Sequence, residues 1–205
     1  MRKPAEVFCY TKIMNQTILF VDGENFIYKI EDVLKSKKIR KGQVDIASIN
    51  FNKFFAKTLK DFKVSKKIFY AAKLHFHPET EKKSNELIKN QRKLRNTLLG
   101  QGFEFIMAGH VRGQKIGNKI IFREKGVDVK IAVDLVSLAA DKMLKTAILC
   151  SSDSDLQPAV IEIRRRKAEV VYLGFEMNPN KGLSYTTNRT VLFRNSEIVK
   201  ACGIK

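Results

Sequence analysis

Apolar residues along this chain fall into two rhythms. Short runs rich in branched and aromatic side chains, "TILFVD" (17–22), "KKIFYAAKL" (66–74), "FEFIM" (103–107), "TAILC" (146–150) and "EVVYL" (169–173), predict five strands. A strand with one wet face would alternate apolar and polar residues, so continuous runs point to strands covered on both sides. Between them, apolar positions recur three and four apart and predict helices. The first runs from Glu24 to about Leu34. In the second, over 44–62, Ile46, Ile49, Phe54, Phe55 and Leu59 share one side, with Lys53, Lys57 and Lys60 turned outward. A long charged helix over 79–100 stops at Gly100, where a glycine C-cap belongs. A strongly apolar one covers 126–143 and another 155–167. Residues 111–123 hold two β-type segments around "GN", which predicts a hairpin excursion or a mobile basic loop.

Strands alternating with helices require right-handed crossovers and a parallel sheet with helices on both faces. The expected fold is therefore α/β, a three-layer sandwich around a central, mainly parallel five-stranded sheet of order 3-2-1-4-5. The 205 residues suit one domain over 17–205. Residues 1–16 are expected to be a disordered N-terminal extension, with Met14 as an alternative start. No apolar run approaches the roughly 18 residues of a membrane span. Cys9, Cys150 and Cys202 form neither an even-numbered framework nor a C-x-x-C spacing. The expectation is a soluble, cytoplasmic protein.

Charge changes this picture most. Thirty-nine Lys and Arg against twenty-one Asp and Glu leave a net +18, more than solubility requires, and point to a polyanionic partner. Against that excess, four aspartates occupy marked places. In an open α/β sheet the ligand site lies beyond the carboxyl ends of the strands, at the point where strand order reverses. Asp22 ends the first strand, Asp153 and Asp155 follow the fourth, and Asp128 begins the helix leading into it. If strands one and four are neighbours, these carboxylates share one crevice. Such a cluster repels itself unless a hard, oxygen-seeking divalent cation fills it, which makes Mg²⁺ or Mn²⁺ the expected cofactor. Zinc is not favoured, because "HFH" (75–77) has no third ligand nearby. Simpler roles compete for some of these acids. Asp155 or Ser154 could cap the helix that follows, and Asp128 could complement a helix dipole. Asp134, about 240° around the helix from Asp128, cannot share its face and can pair with Lys130; it is kept only as a supporting residue.

The segments "ILFVDGENF", "KGVDVKIAVDL" and "AILCSSDSDLQPAV" together resemble the ordered blocks of NYN domains, the LabA-like branch of the PIN-like nuclease superfamily. In that family an apolar strand ends in D-x-x-N, a helix starts with K-x-V-D-V, and a turn reads S-G-D-S-D-F. The resemblance implies that Asp22, Asp128 and Asp153 are the principal metal-binding and catalytic carboxylates. It also implies that Asn25 orients the site or meets the scissile phosphate, and that Asp155 supports it, with Ser151 and Ser154 beside it. Two positions depart from the pattern: Ser152 stands where Gly is usual, and Leu156 where Phe is usual. A turn that needed positive φ would be disturbed by the first.

The activity this implies is metal-dependent endoribonuclease cleavage of phosphodiester bonds in single-stranded RNA. The alternative is an RNA-binding module with weak or no catalysis, and a third reading is a small-substrate phosphohydrolase using Asp22 as nucleophile. The last expects a D-x-D after strand one, where Glu24 stands instead. Basic segments at 35–41, 82–95, 111–123 and 164–167 could hold the polyanion. Arg112, Lys115, Lys119, Arg123 and Lys125 are the expected RNA-facing strip, although most single lysines are simply solvated. A homodimer is compatible with the sequence, and a membrane partner is not expected.

Overall fold

The computed structural model describes residues 16–204 except 41, 77, 117 and 118; the side chains of 79 and 112–124 are not described. The expected extension over 1–16 thus lies outside the described residues but for Gln16, which opens the first strand. Among the described residues seven strands form one sheet: β1 (Gln16–Asp22), β2 (Lys66–Lys73), β3 (Glu104–Ile116), β4 (Lys119–Lys125), β5 (Leu144–Cys150), β6 (Glu169–Phe175) and β7 (Arg189–Phe193). Their order is β4-β3-β2-β1-β5-β6-β7, parallel throughout except for β4 against β3. The five anticipated strands stand in the anticipated order, and two more extend the sheet. Parallel β7 adds an outer edge, and the 111–123 hairpin is the antiparallel pairing of β3 with β4, which lengthens β3 to 13 residues.

Helices α1 (Gly23–Ser36), α2 (Phe51–Ala56), α3 (Glu81–Gly100), α4 (Val127–Ala140), α5 (Gln157–Arg165), α6 (Lys181–Thr186) and α7 (Asn195–Ala201) cover the two faces. The single helix expected over 44–62 is instead a 3-10 turn at Ile46–Ser48 followed by α2. Asp45 and Asn50 interrupt it. Each carboxyl or amide oxygen accepts a backbone N–H just ahead, Ala47 N at 3.1 Å and Lys53 N at 2.9 Å, so the chain restarts twice. At the end of α3, Gly102 rather than Gly100 takes the left-handed conformation, with φ +77°. Phe103 N–H returns to Leu98 O and Gly102 N–H to Leu99 O, which closes the helix as a Schellman motif.

Strand residues divide their side chains between two cores. Leu19 and Val21 of β1 join Ile148 and Cys150 of β5 beneath α1, α2, α3 and α7. Ile18 and Phe20 join Ala147 and Leu149 beneath α4, α5 and α6. Period-two alternation then carries Asp22 and Ser151, the next residues in each series, to the α4–α5 side at the strands' carboxyl ends. In the first core Phe26 touches Phe51, Phe54, Phe55, Phe69, Phe175 and Phe193. Burying one such ring is worth about 1.5–3 kcal/mol, so this cluster pins the first turn of α1. Gly23 lets that turn approach: a Cβ there would lie 2.3 Å from the Phe69 ring and 2.4 Å from Tyr70 O.

Candidate metal centre

Asp22 closes β1 and caps α1. Its Oδ1 accepts from Asn25 N at 3.3 Å, its Oδ2 accepts from Ser151 Oγ at 2.9 Å, and the residue is buried. The Ser151 hydroxyl also accepts from Asp153 N at 3.1 Å. One hydroxyl therefore joins the carboxylate that ends β1 to the loop that follows β5. Asn25 adds a second link, its Oδ1 accepting from Ser152 N at 3.0 Å. The D-x-x-N spacing thus works as a helix start whose cap and whose fourth residue both turn toward the neighbouring strand. Cys150, fully buried behind this site, has its thiol pushed well up by burial and by the Asp22 charge. It is held as a neutral thiol.

Asp128, Asp153 and Asp155 bring one carboxylate oxygen each to within 4.8 Å of one another. Asp22, Asp128 and Asp153 line one cleft of about 400 Å³, together with Lys125, Gly126 and Val129. The four acids come together at the strand ends, as the strand order required. Asp22 shares the cleft without belonging to the tight triad, and Asp155 belongs to the triad. Asp155 is also not the helix cap. Asp153 caps the 3-10 turn Ser154–Leu156, its Oδ1 accepting from Asp155 N at 2.9 Å. Ser154 is exposed on that turn and provides no side-chain cap.

Asp128 is delivered by a different device. Gly126, at φ +97°, turns the chain from β4 into α4 and packs against Gly109, at φ +66°. A Cβ on Gly109 would lie 2.1 Å from Lys125 O, so only glycine lets the hairpin base meet the start of α4. Beyond it, Val127, Ile131, Leu135 and Ala139 bury one side of α4. Asp134 stands apart from the acidic cleft. Its Oδ2 accepts from Tyr70 Oη at 2.9 Å and its Oδ1 from Lys130 Nζ at 2.6 Å, which ties α4 to β2. Burial first, and the Asp134 charge second, hold the Tyr70 phenol far above its usual ionisation range.

The departure at Ser152 costs no backbone strain. Ser152 is not among the residues with left-handed backbone, and Leu156 is buried in the second core. Of the expected RNA-facing strip, Lys125 lies on the cleft wall. The side chains of Arg112, Lys115, Lys119 and Arg123 lie outside the described residues; backbone register pairs Arg112 with Arg123 and Ile116 with Lys119. Of "HFH", His77 also lies outside the described residues. Sequence reasoning missed Asn180 and Tyr172. Asn180 Nδ2 donates to Ser152 O at 2.9 Å, and Asn180 N donates to Tyr172 Oη at 3.0 Å. Tyr172 lies in the middle of the buried strand β6, and Asn180 lies in the loop beyond it, so neither carried a strand-end signal.

The donor set suits a hard cation. It is all carboxylate oxygen, and a cation taking oxygens at about 2.0–2.6 Å spaces its ligands up to roughly twice that. Among the described residues no helix is long and apolar enough to cross a membrane. No curated protein matches the chain. A solved structure from Vibrio parahaemolyticus, of a protein of unknown function, is similar with a TM-score of 0.59 and 20% identity, covering 89% of this chain and 95% of that one. At that identity the likeness concerns the fold. The sequence itself matches the NYN domain over residues 16–191, and with its acidic cleft at the strand ends the chain belongs to the NYN domain family, within the PIN-like superfamily.

Proposed function

We propose that this protein is a Mg²⁺- or Mn²⁺-dependent endoribonuclease that hydrolyses phosphodiester bonds in single-stranded RNA. The observation that carries the reading is the convergence of Asp128, Asp153 and Asp155 on one small volume beside Asp22, in a family whose members are generally nuclease-like. Asp128, Asp153 and Asp155 would hold the ion directly. Asp22, already accepting two hydrogen bonds, would complete the negative field from the floor of the cleft. When bound, the ion supplies acidification of water and neutralisation of charge developing at the scissile phosphate. The chain's own residues do the rest. Asn25 and Ser151 keep Asp22 and the 151–155 loop in register, and Lys125 on the cleft wall offers a cation to a phosphate oxygen. The net charge of +18 supports a polyanionic substrate, and a shallow open cleft suits a single strand better than a duplex.

The test is cleavage of a labelled single-stranded RNA with Mg²⁺, Mn²⁺ or EDTA, by wild type and Asp153→Asn. Cleavage with either ion is expected to vanish in EDTA and to fall more than about 100-fold in the variant, beyond the usual cost of losing an outer partner. Cleavage that survives both would sink the proposal. Mn²⁺ binding and RNA binding without cleavage would instead identify a binding module.

A further inference from the structure

We propose that Asn180 is a positioning residue for the carboxylate site: through the Ser152 carbonyl it sets where Asp153 presents its side chain. This rests on the metal-site reading above and extends it to a residue 25 positions or more from any of the acids. The peptide plane joining Ser152 to Asp153 is held at both of its polar ends. Its carbonyl accepts from Asn180 Nδ2 at 2.9 Å, and its N–H, that of Asp153, donates to Ser151 Oγ at 3.1 Å. A peptide unit is rigid, so fixing both ends fixes the Asp153 Cα, and the bond from Asp155 N to Asp153 Oδ1 at 2.9 Å then sets the direction in which its side chain leaves. The preceding N–H, of Ser152, is fixed by Asn25 Oδ1 at 3.0 Å. Two asparagines, one from each side, therefore grip Ser152. Asn25 comes from the helix after β1 and Asn180 from the loop after β6, so the 151–155 loop between those strands is clamped across the sheet edge.

Asn180 is itself oriented. Its Oδ1 accepts from Leu183 N at 2.8 Å as the cap of α6, and its N–H donates to Tyr172 Oη at 3.0 Å. With the amide oxygen committed to the cap, the amide NH₂ is left to face Ser152. The Tyr172 hydroxyl also lies 3.4 Å from Ser152 Oγ. Capping and positioning make different chemical demands. A cap needs only an acceptor, which Ser and Asp supply equally well. The tie to Ser152 needs a donor at the reach of an amide nitrogen, which among cap residues only Asn provides.

That difference makes the proposal testable. In Asn180→Ser the cap is kept and the tie is lost; Asn180→Asp keeps the cap and the shape but replaces the donor with an acceptor. Mn²⁺ binding is read from the free-ion EPR signal during titration, and folding from the thermal midpoint without metal. Thr187→Ala, which removes a buried hydroxyl bonded to Leu183 O within α6, is the structural control. Both Asn180 variants are expected to bind Mn²⁺ about 10-fold or more weakly, in the range typical for partners that orient a ligand. Turnover of RNA is expected to fall with KM unchanged. The control should lower the midpoint and leave Mn²⁺ affinity alone. Wild-type Mn²⁺ affinity in both Asn180 variants overturns the positioning role while leaving the metal site standing. Failure of the wild type to take up Mn²⁺ overturns the metal reading and the positioning role together. If Asn180→Ser does not fold, the isosteric Asn180→Asp carries the comparison.

Discussion

The two walls of the acidic cleft are built on opposite principles. On the β1–β5 side, the groups that place the acids are joined by hydrogen bonds: Ser151 to Asp22, Asp153 N–H to Ser151, Ser152 N–H to Asn25, Ser152 O to Asn180, and Asp155 N–H to Asp153. On the α4 side, Asp128 enters a helix whose cap, Gly126, offers no side-chain bond, and its position follows from packing. Val127, Ile131, Leu135 and Ala139 seat α4 on the sheet, and Gly109 and Gly126 permit the approach. A hydrogen-bonded loop holds its groups in direction as well as distance but covers little apolar area. A packed helix contributes much stability but defines the position of one side chain only as well as its core is filled. The difference assigns precision to one wall and stability to the other.

The largest stability effect should therefore come from the packed wall. Ile131 is fully buried under α4, and Ile131→Ala should cost about 2–5 kcal/mol through lost transfer energy and the cavity left behind. Denaturant unfolding measures it, and a loss below about 1 kcal/mol would show that α4 is not seated by its core. Mn²⁺ affinity of the folded fraction should fall much less than in a loop variant. Next comes Ser151→Ala. It leaves Asp22 Oδ2 and Asp153 N–H without their shared partner, costing about 1–3 kcal/mol, yet it should weaken Mn²⁺ binding about 10- to 100-fold. Similar ratios of stability loss to affinity loss in the two variants would erase the contrast between the walls.

The same contrast explains what could be seen in the amino-acid sequence. β1, β2, β5 and β6 are buried on both faces and wrote themselves as unbroken apolar runs, so their order and the convergence of Asp22, Asp128 and Asp153 at one edge were legible. β7 was not: "TVLF" is as branched and aromatic as the other runs, but it is only four residues long and only Phe193 of the strand's five residues is buried. α6 has six residues, too few to display a period. The packed wall was legible as an apolar helix, whereas the hydrogen-bonded wall was legible only as a string of small polar residues. Which of Asp153 and Asp155 caps the turn depends on where the 3-10 geometry begins, a matter of one residue that periodicity does not resolve. Asn180 caps α6 through Leu183 N, and its bond to Ser152 spans 28 positions and leaves no local trace.

A smaller effect sharpens the comparison, because one hydrogen bond also steadies the packed wall. Tyr70 donates to Asp134 and so joins β2 to α4. Tyr70→Phe removes the hydroxyl and leaves Asp134 paired with Lys130, so its cost at neutral pH should be about 1 kcal/mol. The pH dependence is more informative than the size. Burial and the Asp134 carboxylate raise the phenol's folded-state pKa far above its ordinary value of 10.0. Below pH 10 the phenol is protonated whether the chain is folded or not, and its contribution is complete. Above it, the unfolded chain releases this proton while the folded one retains it, so stability falls as pH rises. Wild type should therefore lose stability more steeply than Tyr70→Phe above about pH 10, and the two curves should converge. Parallel curves through that range would mean that the phenol ionises freely when folded, and that α4 is held at this point by packing alone.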